Sequence, residues 1–289
     1  MRLPETAPAG ETAFGCPVDF FDNRFVHAVV EPRARGLALG IDLNPDKTCN
    51  FDCVYCEIDR TSPPRAARLD VNAMAFELAE TLAFVRSPAF RQRPTFRRLP
   101  AELFELRHVA LSGGGEPTLS PVFVDAVESV VHVRACRSPE FFKIVLVTNG
   151  AGLDLPEVRE TLGLFNPRDE IWIKLDAGTD QWMARANRPD CTIEELTDTI
   201  IRAGRARPIV IQSLFPGLDG PDMDPEEINA YIRRLARVKK SGARVSAVQI
   251  SSAAPSRASD PPFVSLSLKC LSSIARSVRE IAGLPAEVF

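Results

Sequence analysis

The chain of 289 residues has no run of about 18 uncharged apolar residues, the length a membrane-spanning helix requires. Its opening, MRLPETAPAGETAFG, carries acids and prolines where a secretory leader needs a continuous apolar stretch. The expectation is a cytoplasmic protein with no membrane partner, poorly ordered over Met1–Gly15. An excess of basic charge is missing too. Lys+Arg number 35 against 38 Asp+Glu, for a net charge of −3, which excludes a polycation made for duplex DNA. Histidine is scarce: His27, His108 and His132 lie in or beside apolar runs with no shared ligand spacing, and they read as structural. A hydrophobic share of 45% and a charged share of 25% are globular values and exclude collagen-like or wholly disordered chains.

Cysteine is present in an odd number, seven, and unevenly. Cys49, Cys53 and Cys56 crowd into eight positions, while Cys16, Cys136, Cys191 and Cys270 stand apart with no second CxxC among them. That clustering indicates a metal site rather than a disulfide framework.

Six β-branched-rich runs begin near Leu37, His108, Lys143, Glu170, Arg207 and Arg244. Most are too continuously apolar for a half-exposed sheet and predict strands covered on both faces. Between them, Val71–Val85, Pro121–Ala135, Leu155–Leu164, Ile193–Ala203 and Pro225–Lys240 have helical periodicity, with Asp70, Ser120 and Asp224 as starting caps. Alternating β and α predicts an α/β fold with a parallel sheet and right-handed crossovers. The intervals suit βαβ units of roughly 30 residues or more, except the first. That one holds the cysteine loop and an arginine-rich insertion running from Arg86 to Arg98. Phe20–Val30 reads as an extended lead-in and Leu266–Ile281 as a closing helix. The expected organisation is an N-terminal extension at 1–35, a partial barrel at 36–251 and a C-terminal extension at 252–289.

Directly after the first of these strands comes Cys49-Asn-Phe-Asp-Cys53-Val-Tyr-Cys56. Structural zinc sites usually close with four protein ligands, whereas three cysteines from one loop suit an iron–sulfur cluster with one free iron. A zinc loop completed by a distant His or Cys is the alternative. The second strand ends in Ser112-Gly113-Gly114-Gly115-Glu116-Pro117, whose glycines let a ligand approach the main chain closely. No GK[ST] follows, so the Walker pattern fails.

Together CNFDCVYC and SGGGEP resemble the radical S-adenosylmethionine (SAM) superfamily over roughly Gly36–Ser251. The resemblance implies a partial (β/α)6 barrel with a [4Fe–4S] cluster on Cys49, Cys53 and Cys56. It implies SAM on the fourth iron, cleaved by one electron to methionine and a 5′-deoxyadenosyl radical that abstracts hydrogen. A flavodoxin or ferredoxin would supply the electron. Tyr55 and Gly113, Gly114, Gly115 and Glu116 are then SAM-site residues, the last four receiving its amino group. At later strand ends, where parallel barrels gather their chemistry, Asn149 and Asp176 would bond the ribose or methionine part and Lys174 would neutralise the carboxylate. Asn149-Gly150 is equally a turn. Gln212 and Gln249 would contact adenine or satisfy nearby backbone, as would Ser213. Trp182, Asn187 and Arg188 would line the substrate mouth, with a surface loop as the other reading, more so for Trp182 than for Arg188.

Asn44-Pro-Asp-Lys47, Lys174-Leu-Asp-Ala177 and Asn187-Arg-Pro189 look most like the wyosine-synthase-related iron–sulfur oxidoreductases. Wyosine synthases carry a second cluster on N-terminal cysteines, and only Cys16 precedes the motif here, so a complete wyosine reaction is not expected. The substrate classes left open are an RNA nucleoside, a peptide and a small molecule. The alternatives are a glycyl-radical-activating or peptide-modifying enzyme and, from another class, an iron–sulfur or zinc protein that binds nucleic acid or transfers electrons. For RNA, the arginines of 86–98 would grip phosphate while Phe90 and Phe96 stack bases. Arg233, Arg234, Arg237, Lys239 and Lys240 fall near a helix C-terminus, where cations favour the dipole.

Overall fold

A computed structural model describes residues 18–31, 33–93, 96–97, 99–136, 141–254 and 262–289. Met1–Gly15, Cys16 and Arg98 lie outside them. The class is α/β with mostly parallel strands, as the sequence predicts. No described helix is long and apolar enough to cross a membrane. The chain divides into two compact units. One comprises the described residues up to Thr48 with Pro64–Leu146 and Pro156–Asp169, and the other comprises Cys49–Pro63, Val147–Leu155 and Glu170–Phe289.

In the first unit β1 (Val18–Asp19), β2 (Val26–Glu31) and β3 (Gly36–Asp42) pair antiparallel. β3 is buried from Gly36 to Ile41, whereas β2 alternates buried and half-buried residues, the pattern of a strand with one wet face. The lead-in expected at Phe20–Val30 is thus partly a strand of the sheet. α1 (Val71–Val85) starts where Asp70 accepts from the Ala73 amide at 3.0 Å. From α1 the buried Glu77 carboxylate accepts from the amides of Phe25 (2.8 Å) and Val26 (3.1 Å), fixing the entry to β2.

α2 (Pro88–Arg91) lies within the arginine-rich insertion. Phe90 and Phe96 there are 0% exposed and pack with Phe20, their ring centroids 5.8 and 6.3 Å from it and 4.5 Å from each other. Edge-on and tilted aromatic contacts of this kind stabilise a core. The expectation that these two rings stack bases is therefore corrected: they are core residues. Arg93 and Arg91 cover the cluster from outside, their guanidinium carbons 4.9 Å from the Phe20 centroid and 5.4 Å from that of Phe104.

β4 (Leu106–Ser112) and β5 (Lys143–Thr148) continue from β3 in parallel. α3 (Phe123–Cys136) begins two residues later than expected, after a turn at Pro121-Val122, because the Ser120 hydroxyl donates to the Leu43 carbonyl at 2.9 Å instead of capping it. α4 (Pro156–Thr161) passes into a 3-10 turn at Leu162–Leu164. His108 is buried and 3.3 Å from Glu31, the structural role expected of it. Burial pushes the Glu31 carboxyl up, but hydrogen bonds from His108 and Arg33 and their charges leave it below its ordinary value.

In the second unit β6 (Glu170–Lys174) is followed by the short α5 (Asp180–Ala186) and by α6 (Ile193–Ala206), which opens with a Thr192/Glu195 capping box. β7 (Ile209–Gly217), α7 (Pro225–Lys240) and β8 (Val245–Ser252) complete the βα series, with β6, β7 and β8 parallel. The basic end of α7 does more than complement its dipole. Arg237 pairs with Glu194 and, at 2.8 Å, with Asp198 on α6, and Lys239 donates to the Gly283 carbonyl at 2.6 Å. β9 (Val264–Ser265) pairs antiparallel with β7. α8 (Leu268–Ser277) runs on through a π-type turn to Ala282, and β10 (Ala286–Val288) adds to β8 in parallel.

Candidate metal centre

The CxxxCxxC segment leads the second unit and is held by main-chain bonds as well as side chains. The Asp52 amide donates to the Asn187 carbonyl and the Val54 amide to the Ala186 carbonyl, both at 3.0 Å, while the Cys56 amide closes a turn on the Cys53 carbonyl at 3.0 Å. The loop thus lies along the C-terminal end of α5. Val54 and Tyr55 are buried in a small apolar cluster with Ala253 and Phe263.

None of the six described cysteines is in a disulfide, and Cys49, Cys53 and Cys56 are all half-buried. Each sulfur faces an N–H donor. The Phe51 amide is 3.4 Å from Cys49 Sγ and Asn149 Nδ2 4.0 Å from it, Asn187 Nδ2 is 3.5 Å from Cys53 Sγ, and Arg60 Nη2 is 4.0 Å from Cys56 Sγ. Donors around sulfur stabilise thiolate over thiol and are a main control on iron–sulfur centres. Burial pushes the Cys53 thiol up, opposed by the Lys174 cation and the Asn187 amide. No three His, Cys, Asp or Glu side chains among the described residues converge as ligands of one metal ion would. A cubane makes a different demand, one thiolate on each of three irons, and three thiols spaced along one loop with donors on all of them fit that group.

Behind the loop stands a buried polar network. Tyr55 Oη donates to Asp176 Oδ2, Asn187 Nδ2 lies 2.9 Å from the same oxygen and 2.8 Å from Tyr55 Oη, and the Leu214 amide donates to Asp176 Oδ1 at 2.7 Å. Burial, with the neighbouring Asp176 charge, pushes the Tyr55 phenol well above its ordinary value. Lys174 Nζ sits 5.1 Å from the centroid of the Tyr55 ring, a cation–π distance.

Asp176 and Asn187, expected to face SAM and substrate respectively, therefore have all or part of their hydrogen-bonding capacity directed at the cysteine loop. Arg188 joins them there, its guanidinium 3.0 Å from Asp52. Of the two readings of Asn149 the turn is present, Oδ1 accepting from the Ala151 amide at 2.9 Å, while Nδ2 donates to Asn50 Oδ1 at 2.9 Å. Gln212 and Gln249 are register partners on β7 and β8 and both are buried, with Gln249 Oε1 lacking a hydrogen-bond partner. Ser213 is committed to the Leu175 carbonyl (2.6 Å) and Tyr231 (2.7 Å). Trp182 is a buried residue of α5, not a loop residue.

The glycine segment belongs to the first unit. Asp42 Oδ1 accepts from the Gly114 amide at 2.8 Å and the Asn44 amide at 3.0 Å. Gly113 has φ 156°, and a Cβ at Gly115 would fall on the Thr48 carbonyl oxygen, so both glycines are needed where the main chain passes this closely. Glu116 is buried and accepts from the Thr118 amide (3.1 Å) and hydroxyl (2.6 Å), capping the short turn that follows. Its carboxylate has a structural duty in addition to any ligand.

A model of the radical SAM superfamily matches residues 43–235. Among curated relatives, a UPF0026 protein of Synechocystis sp. is 30% identical over 174 residues, covering 58% of this chain and 54% of that protein; the chain spans about half the length of the curated relatives it matches. A radical SAM methyltransferase from Sphaerobacter thermophilus shares the fold with a TM-score of 0.61 at 19% identity, over 91% of this chain and 68% of that one. TYW1, solved with a lysine-pyruvate adduct bound, does so with a TM-score of 0.52 at 16% identity, over 84% of this chain and 73% of that one. The α/β architecture is accordingly that of the partial radical SAM barrel, and the chain belongs to the radical SAM superfamily.

Proposed function

We propose that this protein is an enzyme that binds a [4Fe–4S] cluster on Cys49, Cys53 and Cys56 and uses it to cleave SAM reductively. The observation that carries the reading is the N–H donor at each of the three sulfurs. When bound, the cluster supplies one electron from an external donor of the flavodoxin or ferredoxin kind, and SAM then yields methionine and a 5′-deoxyadenosyl radical that abstracts hydrogen from substrate.

This chain's own residues hold and orient. The Ala186 and Asn187 carbonyls fix the loop backbone, and Asp176 with Asn187 locks Tyr55 beneath it. Lys174, over the Tyr55 ring, supplies positive charge for the SAM carboxylate. Gln212 and Gln249 offer buried amides for adenine, and the unpartnered Gln249 Oε1 is an acceptor for its exocyclic amine. The carbonyls of Gly113–Gly115 are the acceptors for the SAM amino end.

As substrate class we favour a nucleoside in RNA. Arg91 and Arg97 are exposed and suit phosphate contacts, which position without reading sequence. Anaerobic incubation of reconstituted, reduced protein with SAM tests the reading. Formation of 5′-deoxyadenosine in a reductant-dependent manner is the expected result. Its absence from protein carrying a full complement of iron would refute the reading.

A further inference from the structure

The Asn187 side chain sits apart from the other side-chain donors to sulfur in how firmly it is fixed. It is 2% exposed, on the residue that ends α5. Its carbonyl receives the Asp52 amide at 3.0 Å, so the backbone bearing the side chain is bonded to the loop bearing the sulfur. Asp176 Oδ2, 2.9 Å away, only accepts when ionised, which assigns the nearer Asn187 amide atom as nitrogen. The two hydrogens on Nδ2 serve three neighbours, Tyr55 Oη at 2.8 Å, Asp176 Oδ2 at 2.9 Å and Cys53 Sγ at 3.5 Å. The side-chain donors at Cys49 and Cys56 are longer, at 4.0 Å each.

We propose that Asn187 is a positioning residue that raises the reduction potential of the cluster through its hydrogen bond to Cys53. The inference rests on the cluster reading above. Reduction adds negative charge to the cluster and its thiolates, and a fixed donor at a ligand sulfur favours the more negative state. Asp176 and Tyr55 act through Asn187 by fixing the direction in which its amide points.

The test is a redox titration of reconstituted protein followed by electron paramagnetic resonance, together with pulsed measurements on reduced protein labelled with [δ-15N]asparagine. Asn187→Leu should keep its iron, titrate at a more negative midpoint and lose a nitrogen coupling seen in the unaltered protein. Asn149→Leu, which removes the longer contact, should shift the midpoint less. A purely structural role would alter iron content or stability but leave the midpoint of the assembled cluster in place. Should Asn187→Leu lose its iron, Asn187→Ala removes the same donor without adding bulk. An unchanged midpoint and unchanged coupling in either iron-replete variant would overturn the inference. Failure of the unaltered protein to assemble a [4Fe–4S] cluster would be seen first, in its iron and sulfide content, and would overturn the cluster reading and this inference with it.

Discussion

Replacing Cys49, Cys53 and Cys56 together with alanine is expected to reduce the iron of anaerobically reconstituted protein from about four per chain to near zero. No other described cysteine of the second unit has a second cysteine near it in sequence. Cys191 is half-buried and Cys270 buried, each alone in sequence, and no three His, Cys, Asp or Glu side chains among the described residues converge as ligands of one metal ion. Replacing Cys136, Cys191 and Cys270 with alanine should therefore leave iron and sulfide unchanged. Inductively coupled plasma analysis with a colorimetric sulfide assay reads both variants. Retention of the full iron content by the triple variant of the loop would refute the assignment.

Asp176→Ala is expected to be strongly destabilising. It leaves the Tyr55 phenol, the Asn187 amide and the Leu214 amide without their shared acceptor, and all three groups are in buried or part-buried surroundings. Hydrogen bonds to a charged group contribute roughly 1.5–3 kcal/mol each, and stranding buried donors adds to the loss. Because the three bonds share one carboxylate, their losses do not add fully, and a total of about 3–5 kcal/mol is the reasonable expectation. That is a large fraction of an ordinary domain's stability. Asp176→Asn keeps an acceptor and the side-chain shape, so it should lose less. Urea denaturation followed by circular dichroism measures both; a midpoint for Asp176→Ala within error of the unaltered protein would show that the network is dispensable.

The parts of the protein that local pattern encodes were legible in its sequence. The six strands that the apolar runs predict are present as β3 to β8, and α1 and α7 match the periodic segments Val71–Val85 and Pro225–Lys240. Capping by Asp70 and Asp224 follows from side-chain chemistry within three residues. The cysteine spacing and the glycine run are equally local.

What was not legible depends on long-range contacts. Tyr55 and Asp176 are 121 positions apart, and Tyr55 and Asn187 are 132 apart, so no periodicity links them. The sequence therefore presents Asp176 and Asn187 as polar residues at a strand end and after a helix, with nothing to show that they meet. Phe90 and Phe96 looked available for stacking because arginines surround them in sequence, but the rings turn inward to Phe20 and leave the cations outside. α5 has seven residues and β10 three, too few for a hydrophobic period to stand out.

Electron paramagnetic resonance of the reduced, reconstituted protein before and after addition of SAM tests the central claim most directly. In the proposed cluster, three loop thiolates would leave one iron without a protein ligand, and SAM bound there would change the electronic environment of the cluster. The account predicts a [4Fe–4S] signal whose g values shift on adding SAM and which is absent from the triple alanine variant. A cluster signal of full intensity that is indifferent to saturating SAM would contradict it.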